Sequence, residues 1–250
     1  MRKKLVLFCL SALALLLTGG CETPAQQYNR GLRYDAVGNY VEAAKCFRGA
    51  AERGHVKAQV DIGRRYHDGE GVAKDYAEAV KWYRKAADEG CAEAQYRLGR
   101  FYCRGEGVAK DHAEAAKWFR KAAEEGHAEA RYNLGLLCGR GEGVKKDHAE
   151  AVKWLRMAAE QGEVDAQWLL CGLYGEGKNV AKDPAEAAKW CRMAAERGHV
   201  RARYELGMLY CRGEGVPKDI SRGSYWLCKA AKQGHWQARE MCRKLDVKWE

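Results

Sequence analysis

Serine and threonine are scarce in this chain. Beyond a leader segment described below, Ser221, Ser224 and Thr23 are all that remain. Neither serine opens an S-x-x-K, and no S-D-N or K-T-G follows, so a serine hydrolase of that kind has no nucleophile to use. A phosphate-binding G-x-x-x-x-G-K-[ST] is absent too. Gly69-Glu70-Gly71-Val72-Ala73-Lys74 has glycines and a lysine, but an acidic residue stands between the glycines and the motif recurs along the chain. It reads as an interhelical turn. Long apolar runs are also missing: Leu5 to Leu17 is the longest, about 13 residues, too short to span a bilayer comfortably.

What the chain has in abundance is repetition. Ala58, Ala94, Ala130, Ala166, Ala202 and Ala238 are each 36 residues apart. Trp82, Trp118, Trp154, Trp190 and Trp226 keep that step, as do Gly54, Gly90, Gly126, Gly162, Gly198 and Gly234. A fixed period of this size predicts stacked supersecondary units in place of one globular core.

In residues 91–126, Ala94, Leu98, Phe101 and Tyr102 recur at helical spacing and predict a helix from about Ala92 to Cys103. Gly105 to Lys110 interrupts it. Asp111 with Glu114 three residues on reads as a capping box opening a second helix, which carries Ala115, Trp118, Phe119, Ala122 and Ala123. Gly126 ends that helix where a left-handed residue is needed. Asp75 with Glu78, Asp147 with Glu150 and Asp183 with Glu186 repeat the cap, and Pro184 takes the first helical position. Helices this short are marginal alone, so neighbouring units must bury their Leu, Tyr and Trp faces. Gly63, Gly99, Gly135 and Gly207 let the two helices of a unit come close.

This pattern, A-x-A-x-x-x-L-G-x-x-Y followed by G-x-G-V-x-K-D-x-x-x-A-x-x-W-x-x-x-A-A-x-x-G, resembles the Sel1-like repeat, a relative of the tetratricopeptide repeat. The resemblance implies an all-α, right-handed α/α superhelical solenoid of helix-turn-helix units whose first helices line a concave, ligand-binding face. The expected division is a tetratricopeptide-like unit over 28–54, Sel1-like repeats over 55–90, 91–126, 127–162, 163–198 and 199–234, and a capping helix over 235–250. The fourth of these repeats departs from the pattern, with Cys171 at the glycine position and Lys178-Asn179 in the loop.

The first residues lie outside this array. Arg2, Lys3 and Lys4 precede the apolar run, and Leu17-Thr18-Gly19-Gly20-Cys21 follows it. This resembles the leader and lipobox of bacterial lipoproteins, although Thr18 stands where that family more often has leucine. The resemblance implies a signal peptide over 1–20, lipid (palmitate-type acylation) on Cys21, and a linker over 21–27. The other reading is an ordinary secretory signal. Glu22 after the cysteine points, by the family's sorting rule, to an outer membrane, with the chain facing the periplasm. Several acyl chains make such anchoring stable. Removing Arg2, Lys3 and Lys4 takes the formal charge from +10 to +7. Export argues against nucleic acid as the partner of so basic a chain and favours anionic envelope material or acidic protein.

Candidate binding residues come from the position two after each reference alanine: Tyr96, Tyr132, Trp168 and Tyr204. By analogy with tetratricopeptide geometry these point into the concave face, flanked by Arg64 and Arg100 and then by Arg104, Arg140 and Arg212. Aromatic side chains offer large contact area at low entropy cost, and arginine pairs with carboxylates in a planar fork. The alternative is that the rings only cover core. Of the 11 cysteines, nine are left after Cys9 and Cys21. Export makes disulfides plausible, and Cys171 with Cys191, across one hairpin, is the pair to test. His55, His127, His199 and His235 share one repeat position, and His112 and His148 another. Equivalent positions in stacked units sit about 8–10 Å apart, whereas zinc ligands lie about 2 Å from the metal. Such a ladder cannot close one metal site, and no cofactor is expected. The functional expectation is an envelope-localised interaction scaffold holding a peptide or envelope protein. The alternatives are a weak β-lactamase-like hydrolase, by analogy with a cysteine-rich branch of the Sel1-like family, and a binder of peptidoglycan or another anionic polymer.

Overall fold

The caps set the architecture. In the computed structural model, which describes residues 22–248, Asp111 accepts the amides of Ala113 and Glu114 at 2.9 and 3.0 Å. Asp75, Asp147, Asp183 and Asp219 open helices in the same way. Thirteen helices result among the described residues: α1 (Pro24–Ala36), α2 (Tyr40–Glu52), α3 (Val56–Asp68), α4 (Tyr76–Asp88), α5 (Ala92–Arg104), α6 (His112–Glu124), α7 (Ala128–Arg140), α8 (His148–Glu160), α9 (Val164–Glu176), α10 (Pro184–Glu196), α11 (Val200–Arg212), α12 (Ile220–Lys232) and α13 (Trp236–Lys244). No strand occurs among those residues. The chain is all-α, built from tandem hairpins, as the repeat implies. The leader and Cys21 lie outside the described residues.

The glutamates of the expected capping boxes behave differently from expectation. A reciprocal box forms at Thr23 and Gln26. Elsewhere the aspartate alone satisfies the amides, and the glutamate three residues on turns along its own helix. Glu114 pairs with Lys117 at 3.0 Å. Glu150 and Glu186 receive the indole N–H groups of Trp154 and Trp190 at 3.2 and 3.0 Å. A cationic or indole donor one turn away competes better for the carboxylate than an already solvated cap amide.

Two compact units divide the chain after Glu89. The first holds α1–α4 and the second α5–α13. Within each hairpin, one contact sets how near the helices come. A Cβ added to Gly99 would lie 2.7 Å from the Phe119 ring, and one added to Gly207 would lie 2.7 Å from Leu227. Gly31 against Phe47, Gly63 against Tyr83 and Gly135 against Leu155 repeat the arrangement. All five large partners are buried. In the hairpin of α9 and α10, Cys171 and Cys191 take these same two places and are joined by a disulfide, with Cα atoms 5.1 Å apart. Closing this loop contributes about 3 kcal/mol on chain-entropy grounds.

Units are tied to one another by a device that apolar periodicity does not reveal. In four repeats of the second unit the residue after the reference alanine reaches back to the end of the preceding helix. Gln167 donates to the Ala159 carbonyl at 2.8 Å, Arg131 to Ala123 at 2.9 Å, Arg203 to Ala195 at 3.0 Å and Arg239 to Ala231 at 3.2 Å. Each bond brings a second donor to a helix-end carbonyl that already accepts the amide of the glycine three residues on.

Among the described residues of the first unit, one charged side chain is buried. Arg65, 1% exposed, pairs with Asp35 and Glu70 and lies over the rings of Tyr40 and Phe47 at 5.1 and 5.8 Å. Its repeat equivalents are Phe101, Leu137, Leu173 and Leu209. A buried ion pair is weak evidence of net stability, but breaking one strands a charge. Urea denaturation followed by circular dichroism should therefore show Arg65→Leu unchanged or stabilised. Asp35→Ala should lose about 3 kcal/mol, the lower end for a broken buried pair because Glu70 still holds the other side.

Candidate functional site

Five first helices carry a half-buried aromatic residue at one position, Tyr28, Tyr96, Tyr132, Trp168 and Tyr204, while the repeat of 55–90 has Val60 there, and a histidine of the next repeat covers four of the five rings. Tyr28 stacks on His55 at 4.4 Å, Tyr96 on His127 at 4.5 Å, Trp168 on His199 at 5.0 Å and Tyr204 on His235 at 4.6 Å. Several of these histidines also cap. Nδ1 of His55 and of His199 accepts the amide three residues on at 3.1 Å, and that of His235 does so at 3.3 Å. A nitrogen that accepts from an amide must be unprotonated. Burial accordingly pushes the imidazoles of His199 and His235 below their usual value. His127 departs from this pattern and bonds Glu93 at 3.0 Å. That bond, with Arg97 adding its charge, holds the Glu93 carboxyl down at about 2.

The histidine ladder is thus a set of caps and ring covers. The feature that could have revealed this is its register: each histidine immediately precedes a first helix and falls 31 residues after the aromatic position in the later repeats. Among the described residues, no three His, Cys, Asp or Glu side chains converge on a metal position.

At one place the cover is missing. The residue that should stack on Tyr132 is Glu163, which caps α9 through its own carboxylate. No ring stacks on Tyr132 among the described residues. An open groove of about 720 Å³ lies there. Tyr132, Leu136 and Arg140 of α7, Asp165, Trp168 and Leu169 of α9, and His199 and Arg201 at the start of α11 line it. Burial, with the Asp165 and Glu163 charges adding, raises the Tyr132 phenol, so its hydroxyl stays protonated and free to donate. The guanidinium of Arg140 is 61% exposed and only 3.9 Å from Glu142, a loose pair.

Of the candidate binding residues, Tyr132, Arg140 and Trp168 share this groove, and the others do not line it. Arg64 belongs to the first unit, where Asp61 holds it at 3.2 Å. Arg100 lies over Tyr96 at 5.7 Å. Arg104 and Arg212 are exposed beside Glu106 and Glu214 at 3.8 and 4.0 Å, and Tyr204 is stacked as above. Asp165, His199 and Arg201 are groove residues that the aromatic and arginine patterns do not single out, because they come from helix starts.

The hairpins, their 36-residue step and the loop glycines match one family model, the Sel1 repeat, over residues 25–55, 56–91, 92–127, 128–163, 164–199 and 200–235. The chain belongs to the Sel1 repeat family. The family model takes in the short first hairpin as well. Among solved structures this Sel1 repeat protein is similar to c5321, a protective antigen of uropathogenic Escherichia coli strains with an SLR fold, at 35% identity and a TM-score of 0.87 over 95% of this chain and 53% of that one. It therefore spans about half that antigen's length. It is also similar to a Sel1 repeat protein from Oxalobacter formigenes, at 37% identity and a TM-score of 0.74 over 85% of this chain and 84% of the other. Immunity protein PA5088 from Pseudomonas aeruginosa shares the fold at 20% identity and a TM-score of 0.51, over 84% of this chain and 81% of that one. No curated protein matches this chain. Sel1 repeat proteins act in general as scaffolds for protein–protein interaction and bind protein partners.

The caps carry a pH signature. His199 and His235 are held neutral in the folded chain but protonate near 6.5 when unfolded. The unfolded state then binds protons first, so stability is complete above 6.5 and falls as pH drops through that value toward the lower folded one. Thermal melting should show this loss, and His199→Asn, which caps without titrating, should reduce it. The Glu93 contribution has a lower window: it is present above the ordinary carboxylate value of 4.5 and disappears as pH falls toward about 2.

Proposed function

We propose that this protein is an envelope-localised adaptor that holds an extended segment of a protein partner in the groove of its second unit. The observation carrying the reading is the single groove that gathers the uncovered ring of Tyr132, the indole of Trp168 and the loosely paired Arg140. A strand-like segment laid across α7 and α9 meets two aromatic surfaces and, in Arg140 and Arg201, two cations for acidic side chains. Tyrosine, tryptophan and arginine are the residue types that dominate interface energetics.

Placement in the envelope is supported by the leader pattern ending in Gly19-Gly20-Cys21. Lipid on Cys21 is the proposed anchor, with the solenoid exposed to the periplasm from the outer membrane. No helix among the described residues is long and apolar enough to cross a membrane.

One experiment tests both parts. A photo-crosslinking amino acid is placed at Leu136 or Leu169, in the groove, and at Tyr225, outside it, in intact cells fed labelled palmitate. A discrete protein adduct from the groove positions alone, weakened by Trp168→Ala and Arg140→Gln, is expected. Palmitate label should vanish with Cys21→Ala. Equal adducts from Tyr225, or label surviving in Cys21→Ala, contradict the respective part.

A further inference from the structure

A second cavity opens beside the groove, and its origin lies in two departures from the repeat. In sibling units the second loop glycine packs directly on the start of an earlier helix. A Cβ on Gly143 would lie 2.2 Å from the His112 carbonyl carbon, and one on Gly215 would lie 1.9 Å from the Pro184 oxygen. The corresponding residue in the unit of α9 and α10 is Asn179, in the left-handed region at φ 65°. It carries the Cβ that this approach excludes, so its loop cannot settle on the start of α8 as the siblings settle on theirs. On the facing helix, Gly139, like Gly175 one repeat on, stands where Cys103 and Cys211 stand in other repeats. Side-chain volume is missing on one side and backbone contact on the other.

The result is a cavity of about 230 Å³ walled largely by Leu136, Val152, Leu155, Leu169 and Leu173. Water gains little there, since it needs two to four polar partners. Leu136, Leu169 and Arg140 line this cavity and the groove alike. The two are therefore adjoining compartments, with one exposed guanidinium between them.

Resting on the groove reading, we infer that this pocket is the specificity subsite: it receives one large apolar side chain, leucine, methionine or phenylalanine, from a partner segment that carries a carboxylate beside it. The volume suits one such side chain and the walls are aliphatic. Arg140 at the shared edge, with Arg201 in the groove, outnumbers the groove carboxylate of Asp165, and with a net positive chain even after loss of Arg2, Lys3 and Lys4 selects an acidic neighbour. The anchor side chain supplies buried apolar area, and the carboxylate fixes its register through a planar arginine pair.

A displayed library of short peptides built from Asp, Glu, Gly and Ser, with one position varied through Ser, Leu, Met and Phe, is selected on the full-length protein. Selected peptides are then titrated by fluorescence anisotropy. Gly139→Leu is the pocket-filling variant. A Cβ there meets nothing closer than the Ala151 Cβ at 3.5 Å, and leucine favours a helix over glycine, so it should fold and melt like the parent. Enrichment of a large apolar residue next to Asp or Glu is expected, with affinity falling about thirtyfold in Gly139→Leu, as on loss of one anchor residue. Tyr132→Ala should weaken every selected peptide, anchored or not. Selection without an apolar preference, no selection at all, or equal affinity for Gly139→Leu overturns the subsite. Where peptides are selected, weakening by Tyr132→Ala then still leaves the groove standing, whereas no selection at all or indifference to both variants removes the groove as well.

Discussion

Everything in this molecule depends on how closely two short helices can approach. Each is a few turns long and marginal alone, so it persists only by burying a face. Burial to native density needs a small residue opposite a large one. Gly31, Gly63, Gly99, Gly135 and Gly207 supply the small side, and Phe47, Tyr83, Phe119, Leu155 and Leu227 fill the space they leave. The distance set by that contact brings the buried alanines of the paired helices together. In α9 and α10 the same two positions hold a covalent bond in place of a glycine and a large side chain. The constraint is on total volume between the helices, which admits more than one chemical solution.

The departures from the repeat are not spread evenly. Arg65, Val60, Cys91 and Gly139 depart singly, whereas Glu163 for histidine, Cys171 and Cys191 for the small-against-large pair, and Asn179 for glycine all fall between residues 163 and 198. The groove and the pocket beside it both border this unit. A uniform array would cover every ring with a histidine and seat every loop on a helix start. Losing one cover exposes Tyr132, and changing one loop residue leaves the space next to it. The disulfide holds together the hairpin that has given up those contacts. Recognition in this reading arises where the repeat fails.

Much of this was legible in the residues alone. Period, aspartate caps, loop glycines and the apolar face of each helix all act within a few residues of one another, so their spacing encodes them. The Gln and Arg links to preceding carbonyls were not legible, because they join one repeat to the next and involve no apolar period, and the histidine covers show only in their fixed register to the aromatic position. Arg65 was hidden for a related reason: it occupies a position where its siblings are apolar, and its partner Asp35 belongs to another hairpin. Among the aromatic candidates, all four occupy the expected register, yet three are stacked under histidine. Only the identity of residue 163 distinguishes Tyr132 from the rest. The glutamates of the supposed capping boxes show the converse case, a correct local pattern whose second half is diverted to Trp154, Trp190 or a lysine.

The most direct test exchanges the chemistry at the α9–α10 contact while controlling volume. Cys171→Gly combined with Cys191→Leu recreates the pair seen at Gly135 and Leu155, and Cys171→Leu combined with Cys191→Leu places two large residues face to face. Circular dichroism melting of both variants, with and without dithiothreitol, is the measurement. If small against large is the governing constraint, the first variant unfolds cooperatively with full helicity and no response to reductant, while the second loses cooperativity. Equal melting of the two variants, or collapse of the first, would contradict it.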